Sequence, residues 1–385
     1  MKSKRRTYFD YNATTPVRPE VVEAMLPYFG ERFGNPSSAE HGYGWEAEEA
    51  VGQARAEVAR LVGARPSEIV FTSGATEGAN LALLGYCLNH KGPRRHILSA
   101  PTEHRAVRDT LEYLNDRGFE IEWLPVGSDG LIANEALEKG IRADTLMVCL
   151  MQANNETGVI FPVREWSRAA VRQEAVFACD ITQAVGKIPV ELSATDIGLA
   201  FFSSHKVYGP KGVGALYIQG GIAREIRPLF SGGGQEGGLR PGTLNVPGIV
   251  GFGKACSLIA VERESEACRL KALRERIEAG LRQIGGIRIN GAGVERLPNT
   301  ISATFPGLDG NLLIRRLNRF ALSRGSACSS NLETPSHVLR AMGLSEEDGR
   351  SSIRISMGRG TRPEEADELL AAIVETVNLL KSEGV

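Results

Sequence analysis

From about residue 43 to residue 218, helical and extended patterns alternate along the chain. That alternation is the strongest constraint on the fold, because strands that return through helices build a mainly parallel sheet covered on both faces. The helix opening near Tyr43 carries Ala47, Val51, Ala54, Val58 and Leu61 on one face, the period of an amphipathic helix. Extended runs are expected at 69–71, 96–98, 146–151, 175–179, 199–203 and 213–218. About seven strands with helices between them give an open α/β domain.

Beyond Pro247 the pattern changes. A long charged helix over about 248–284 leads to short strands at 288–289 and 300–305, a helical stretch at 311–318 and an amphipathic closing helix at 364–381. This reads as a smaller α+β domain. The expected division is an N-terminal arm at 1–15, a large domain at 16–247 and a small domain at 248–385, within the reach of a 385-residue chain.

Composition excludes several functions. Lys and Arg total 45 against 46 Asp and Glu, so no surplus of positive charge is available to attract a phosphate backbone, and nucleic acid is not expected as a direct partner. The basic run Lys2 to Arg6 is followed by Tyr8-Phe9-Asp10-Tyr11-Asn12 rather than an apolar stretch, and reads as a solvated leader. No apolar run is long enough for a bilayer span, so a cytoplasmic location is expected. Six cysteines, at 87, 149, 179, 256, 268 and 328, show no spacing for zinc or a disulfide framework. No metal of the chain's own is expected.

Five stretches could carry chemistry. Residues 69–77 end in Ser73-Gly74-Ala75-Thr76-Glu77, a strand, turn and helix start that either serves only the fold or offers backbone N–H groups and a hydroxyl to a phosphate. Ser203-Ser204-His205-Lys206 precedes Gly209-Pro210-Lys211-Gly212. Lys206 is the better placed of the two lysines to be a nucleophilic amine, the alternative being a solvated surface lysine. Asp180 ends an apolar run and either pairs with a pyridinium nitrogen or caps the next turn. Cys328, among Gly325-Ser326-Ala327 and Ser329-Ser330, is a thiol among small residues in a loop expected to be mobile, where an ionised sulfur would be a nucleophile. Arg354, in an apolar strand, suits a substrate carboxylate or an interdomain ion pair.

Taken together and in this order, these motifs resemble the cysteine desulfurases of the NifS/IscS type, in the class-V aminotransferase branch of the fold-type I pyridoxal-phosphate enzymes. The resemblance also takes in Asp10 to Pro16, Gly34-Asn35-Pro36-Ser37-Ser38, Thr102-Glu103-His104, Asn154 to Gly158 and Gly232 to Thr243, almost the whole chain. It implies an α/β fold with a seven-stranded, mainly parallel sheet and a smaller C-terminal domain carrying the Cys328 loop. It further implies pyridoxal 5'-phosphate as cofactor, with Lys206 as the Schiff-base lysine, Asp180 on the pyridine nitrogen, Gln183 on the ring hydroxyl and His104 stacked on the ring and moving protons. Ala75, Thr76, Ser203 and His205 would take the phosphate, and Thr243 the phosphate of a neighbouring subunit, so a homodimer is implied. Asn155 would contact both cofactor and substrate, and Arg354 the substrate carboxylate.

The activity implied is transfer of sulfur from L-cysteine to Cys328 as a persulfide, with release of L-alanine. The sulfur would pass to an acceptor protein such as an iron–sulfur scaffold or a tRNA-thiolation carrier, with Cys328 a transient ligand of a cluster shared with a scaffold. A selenocysteine lyase, a cysteine-sulfinate desulfinase and a non-catalytic sulfur-relay protein are the alternatives. Two departures stand out: Tyr11 where the family usually has Asn, and Ile181-Thr182 where it has a pair of small residues. The spacing from Cys328 to Ser336-His337-Val338-Leu339 resembles the long-loop group.

Overall fold

The computed structural model describes residues 6–325 and 335–383. Among them are twelve strands: β1 Thr7–Tyr8, β2 Ile69–Thr72, β3 His96–Ser99, β4 Glu120–Trp123, β5 Thr145–Cys149, β6 Val176–Asp180, β7 Ile197–Ser203, β8 Gly214–Ile218, β9 Arg288–Ile289, β10 Thr300–Thr304, β11 Phe320–Ala321 and β12 Ser352–Ser356. Seven of them form one sheet in the order β2-β8-β7-β6-β5-β3-β4. The pairs from β7 through β6, β5 and β3 to β4 are parallel. β8 runs antiparallel to both its neighbours.

Successive side chains of these strands point to opposite faces, so each strand feeds two cores. Phe71, Leu98, Val148, Phe177 and Phe202 enter one core with the helix Gly42–Leu61 and the first part of the helix Val246–Gln283. Val70, Ile97, Met147, Ala178 and Phe201 enter the other with the helices Ala75–Cys87 and Arg105–Asn115. Strands buried on both faces read as continuous apolar runs, which is why most of this sheet could be located in advance. β4 was not expected: it lies at an edge of the sheet, alternates Glu120 and Glu122 with a half-buried Ile121 and an exposed Trp123, and is only partly covered.

A third core gathers β10 and β12, the closing helix Pro363–Glu383 and the far end of the Val246–Gln283 helix. That long helix serves two cores, placing Val246, Ile249, Phe252 and Ile259 in the first and Leu270, Leu273, Ile277 and Leu281 in the third. The division expected at residues 247 and 248 falls in its first turn. The described part of the N-terminal arm belongs with the third core. β1 pairs in parallel with β11, Asp10 bridges to Ser356, and Phe9 is fully buried among the core's side chains.

Candidate active site

Parallel strands leave their carboxyl ends on one side of a sheet, and loops leaving those ends converge there. β6 stops at Asp180 and β7 at Ser203. Asp180 is largely buried, and its Oδ1 accepts the N–H of Thr182 at 2.8 Å, while Ile181 is fully buried in the core. The Ile181-Thr182 departure therefore leaves the carboxylate held: one residue packs and the other hydrogen-bonds it.

The helix Ala75–Cys87 begins at Gly74 without a side-chain cap, leaving first-turn N–H groups toward an anion. Ser203 Oγ accepts the N–H of Ala75 at 2.7 Å, so the end of β7 and the start of this helix meet. β8 presses on the same turn: a Cβ on Gly214 would lie 2.6 Å from Gly74 Cα. The buried Ser204 hydroxyl has no hydrogen-bond partner among the described residues. Nearby, His205 Nδ1 lies 3.1 Å from Thr14 Oγ1. Burial, followed by the charges of Lys206, Lys211 and Lys187, pulls the His205 imidazole down to about 4, so it is neutral near pH 7. Three lysines crowding one imidazole make a positive locus suited to a phosphate dianion.

Asn12 joins the groups that face this locus. Its carbonyl accepts from Lys206 Nζ at 2.6 Å and from Gln183 Nε2 at 3.0 Å, and Lys206 Nζ also donates to the Ala13 carbonyl at 2.7 Å. Asn12 Nδ2 donates to the Asn155 carbonyl at 3.1 Å, and Arg354 Nη1 donates to the same oxygen at 3.0 Å. Gln183, Lys206 and Asn155 thus meet on one residue of the arm, and Arg354 joins them through the Asn155 carbonyl. Behind Gln183, Lys187 Nζ donates to its carbonyl and to its Oε1, both at 3.1 Å. Burial, and then the charge of Lys206, pulls Lys187 down to about 7.

Tyr11, the other departure, is a packing residue. It is buried, its ring stands edge-on to Tyr8 at 5.1 Å, and Gly358 passes so close that a Cβ there would overlap the ring.

His104 sits where β3 leads into the helix Arg105–Asn115 and caps it, Nδ1 accepting the N–H of Ala106 at 3.1 Å. A neutral imidazole that accepts at Nδ1 carries its proton on Nε2. Just before it, Glu103 is fully buried, with Oε1 accepting the N–H of Met151 at 2.7 Å. Burial pushes its carboxyl well above the usual range, and the charge of Asp180 adds to the rise.

The sequence-predicted residues divide as follows. Asp180, Gln183, Ser203, His205, Lys206, Ala75, Asn155 and Arg354 are held by hydrogen bonds within this region, and Thr76 and His104 line one groove beside it. Thr243 is exposed on the loop before the Val246–Gln283 helix, and no hydrogen bond among the described residues joins it to the others. Cys328 lies outside the described residues, as do residues 2–5 of the basic leader Lys2 to Arg6. Among the described residues no cluster of His, Cys, Asp and Glu could hold a metal. Asn12, Asp10 and Lys187 had no role assigned from sequence. Lys187 follows Gln183 by four residues within a turn, and nothing in its local sequence marks it out.

A buried acid at a strand end, a lysine one strand over, an uncapped helix start and a positive locus fit a phosphorylated pyridine aldehyde: the donor set matches each of its polar groups. Comparison with known proteins agrees. The class-V aminotransferase model matches residues 7–369, a family whose members work with pyridoxal phosphate. The chain is 47% identical over 375 residues to the cysteine desulfurase IscS of Anaeromyxobacter sp. (strain Fw109-5), covering 97% of this chain and 93% of that one. It is 44% identical over 382 residues to a mitochondrial cysteine desulfurase of Arthroderma benhamiae, covering 99% of this chain and 76% of that one. A solved NifS-like protein superposes with a TM-score of 0.91 at 40% identity, over 97% of this chain and all of the other.

The fold and site define a class-V aminotransferase-type α/β enzyme. The chain belongs to that family and, within it, to the NifS/IscS cysteine desulfurase branch. No helix among the described residues is long and apolar enough to cross a membrane.

Proposed function

We propose that the chain is a pyridoxal-phosphate-dependent cysteine desulfurase that moves sulfur from L-cysteine to Cys328, for delivery to an acceptor used in iron–sulfur cluster assembly or thiolation. The observation that carries this reading is the convergence of Lys206, Gln183 and Asn155 on Asn12, with Arg354 on the same Asn155 carbonyl. In it, Ala75, Thr76, Ser203 and His205 hold the phosphate, Asp180 the pyridine nitrogen, Gln183 the ring hydroxyl and Lys206 the aldehyde carbon. Bound there, the cofactor supplies an electron sink for charge that develops at the substrate Cα.

Arg354, whose planar fork matches a carboxylate, orients L-cysteine while Asn155 contacts both substrate and cofactor. Lys206 Nζ would be the amine that takes the Cα proton and, after the sulfur has left, returns it to Cα. His104, with its proton on Nε2, lies ready to deliver a proton to the leaving side. The Cys328 thiolate attacks the substrate sulfur: an S–S bond forms on Cys328, the Cβ–S bond breaks, its electron pair stays with the carbon, and protonation there gives L-alanine. Thr243, exposed on its loop, suits a contact across a homodimer, so each site would be completed by the second subunit. The division into an arm at 1–15, a large domain at 16–247 and a small domain at 248–385, and a cytoplasmic location, are parts of the same reading.

The test is product analysis. With L-cysteine and excess thiol reductant, alanine and sulfide should appear in equal amounts. A keto acid without sulfide would make the chain a plain aminotransferase and overturn the reading.

A further inference from the structure

Asn155 has a place in the proposed chemistry; its neighbour Glu156 does not. Glu156 is 3% exposed, and its backbone N–H is held by Asn154 Oδ1 at 2.9 Å. Burying a carboxylate is costly unless it is hydrogen-bonded, and the partners of this one are informative. Ser336 Oγ donates to Glu156 Oε2 at 2.5 Å. The same Oγ accepts the N–H groups of Val338 and Leu339 at 3.1 and 3.2 Å, capping the helix His337–Ala341. On the other side, a Cβ on Gly325 would lie 2.9 Å from Glu156 Oε2 and 3.3 Å from its Cδ. One carboxylate therefore touches the chain at 325 and again at 336, on either side of the segment that contains Cys328.

The neighbouring contacts fix the same two points to the site. Ser323 and Arg354 exchange backbone hydrogen bonds, the N–H of Ser323 to the carbonyl of Arg354 at 3.3 Å and the reverse at 2.6 Å. His337 Nε2–H donates to the carbonyl of Glu103, next to His104, at 3.0 Å. So the chain before the segment is tied to the residue expected to hold the substrate carboxylate, and the chain after it to the loop of His104. Glu156 is the one side chain among them that meets both.

We propose that Glu156 is a positioning residue for the sulfur-transfer step: its carboxylate gathers residues 325 and 336 onto the Asn155 loop and so sets where Cys328 is delivered. The inference rests on the desulfurase reading above. It separates two events that share an enzyme, substrate arrival at the cofactor and capture of its sulfur, and assigns Glu156 to the second. A displacement on the order of 1 Å at a reacting group can cost about a hundredfold in rate.

The experiment uses the purified, cofactor-loaded protein and the variants Glu156→Ala, Glu156→Gln, Ser336→Ala and Glu156→Ala/Ser336→Ala. Two readings are taken after mixing with L-cysteine: the change in cofactor absorbance, and the rate at which Cys328 gains one sulfur by mass spectrometry. In Glu156→Ala the absorbance change should keep its rate and half-saturation within about twofold, while sulfur gain slows at least about tenfold. Ser336→Ala should slow it less, and the double variant should be no slower than Glu156→Ala, because both substitutions remove one contact. Glu156→Gln, which keeps the shape and an acceptor, should recover part of the rate and remains informative if Glu156→Ala does not fold. Sulfur gain unchanged in Glu156→Ala and Glu156→Gln, or absorbance change and sulfur gain lost in parallel, would overturn the proposal. If the unmodified protein gains no sulfur, the desulfurase reading fails instead.

Discussion

Arg354 Nη2 donates to Asp10 Oδ1 at 2.7 Å, an ion pair that ties the N-terminal arm to β12 with the guanidinium only 2% exposed. With Nη1 on the Asn155 carbonyl, the fork is fixed by two partners from distant parts of the chain before any substrate arrives. A preorganised guanidinium gives up little conformational freedom when it takes a carboxylate.

Arg354→Lys keeps the charge and loses the fork. The half-saturating concentration of L-cysteine should rise at least about tenfold, from the loss of one charge-assisted hydrogen bond, with a smaller change in kcat. Steady-state alanine production over a range of L-cysteine concentrations measures it.

Gly214→Ala should damage the phosphate end of the site from a position that touches no ligand. Its Cβ would meet Gly74 Cα and the Phe202 carbonyl, both at 2.6 Å, and backbone cannot swing aside as a side chain can. Overpacking of this kind costs about 1–3 kcal/mol, and the displaced turn should also weaken cofactor retention. Thermal unfolding and cofactor titration of the stripped protein report the two effects separately.

His205 gives the cofactor-free protein a pH dependence. Its folded-state value of about 4 lies below the ordinary 6.5, so between these values the unfolded chain binds more protons. The stability it contributes is fully present above pH 6.5 and is lost as pH falls toward 4. Urea unfolding of His205→Gln should show a shallower loss across that window than the unmodified protein; identical slopes would contradict the half-buried, neutral assignment.

Glu278 supports the third core's long helix. It is 4% exposed, 2.9 Å from Arg296 and 3.8 Å from Arg274, two arginines that are themselves nearly buried. Glu278→Ala would leave both cations without their carboxylate, a loss of about 3–5 kcal/mol, visible as a lower denaturant midpoint with little change in kcat.

What could be read in the sequence follows burial. β5, β6, β7 and β8 are apolar on both faces and announce themselves, and with them come Asp180 and Ser203 at their ends, followed by Lys206. β4 was missed because an edge strand with two glutamates has no such run, and β1 and β11 because two residues each carry no period. Asn12 and Glu156 lie inside the motifs Asp10 to Pro16 and Asn154 to Gly158, where local sequence assigns them no role. Their importance lies in partners 143 or more residues away, Asn155, Gln183 and Lys206 for one and Ser336 for the other. Such long-range hydrogen bonds leave no trace in local spacing.

The central claim is that Lys206 and Cys328 act in sequence on the sulfur of L-cysteine. The most direct measurement is mass spectrometry of the Cys328 peptide after the cofactor-loaded protein meets L-cysteine without reductant, alongside Lys206→Ala and Cys328→Ala. The account predicts one added sulfur on Cys328, absent from both variants. An unmodified Cys328 peptide while alanine is still released would contradict it and leave a lyase or desulfinase that does not use that thiol.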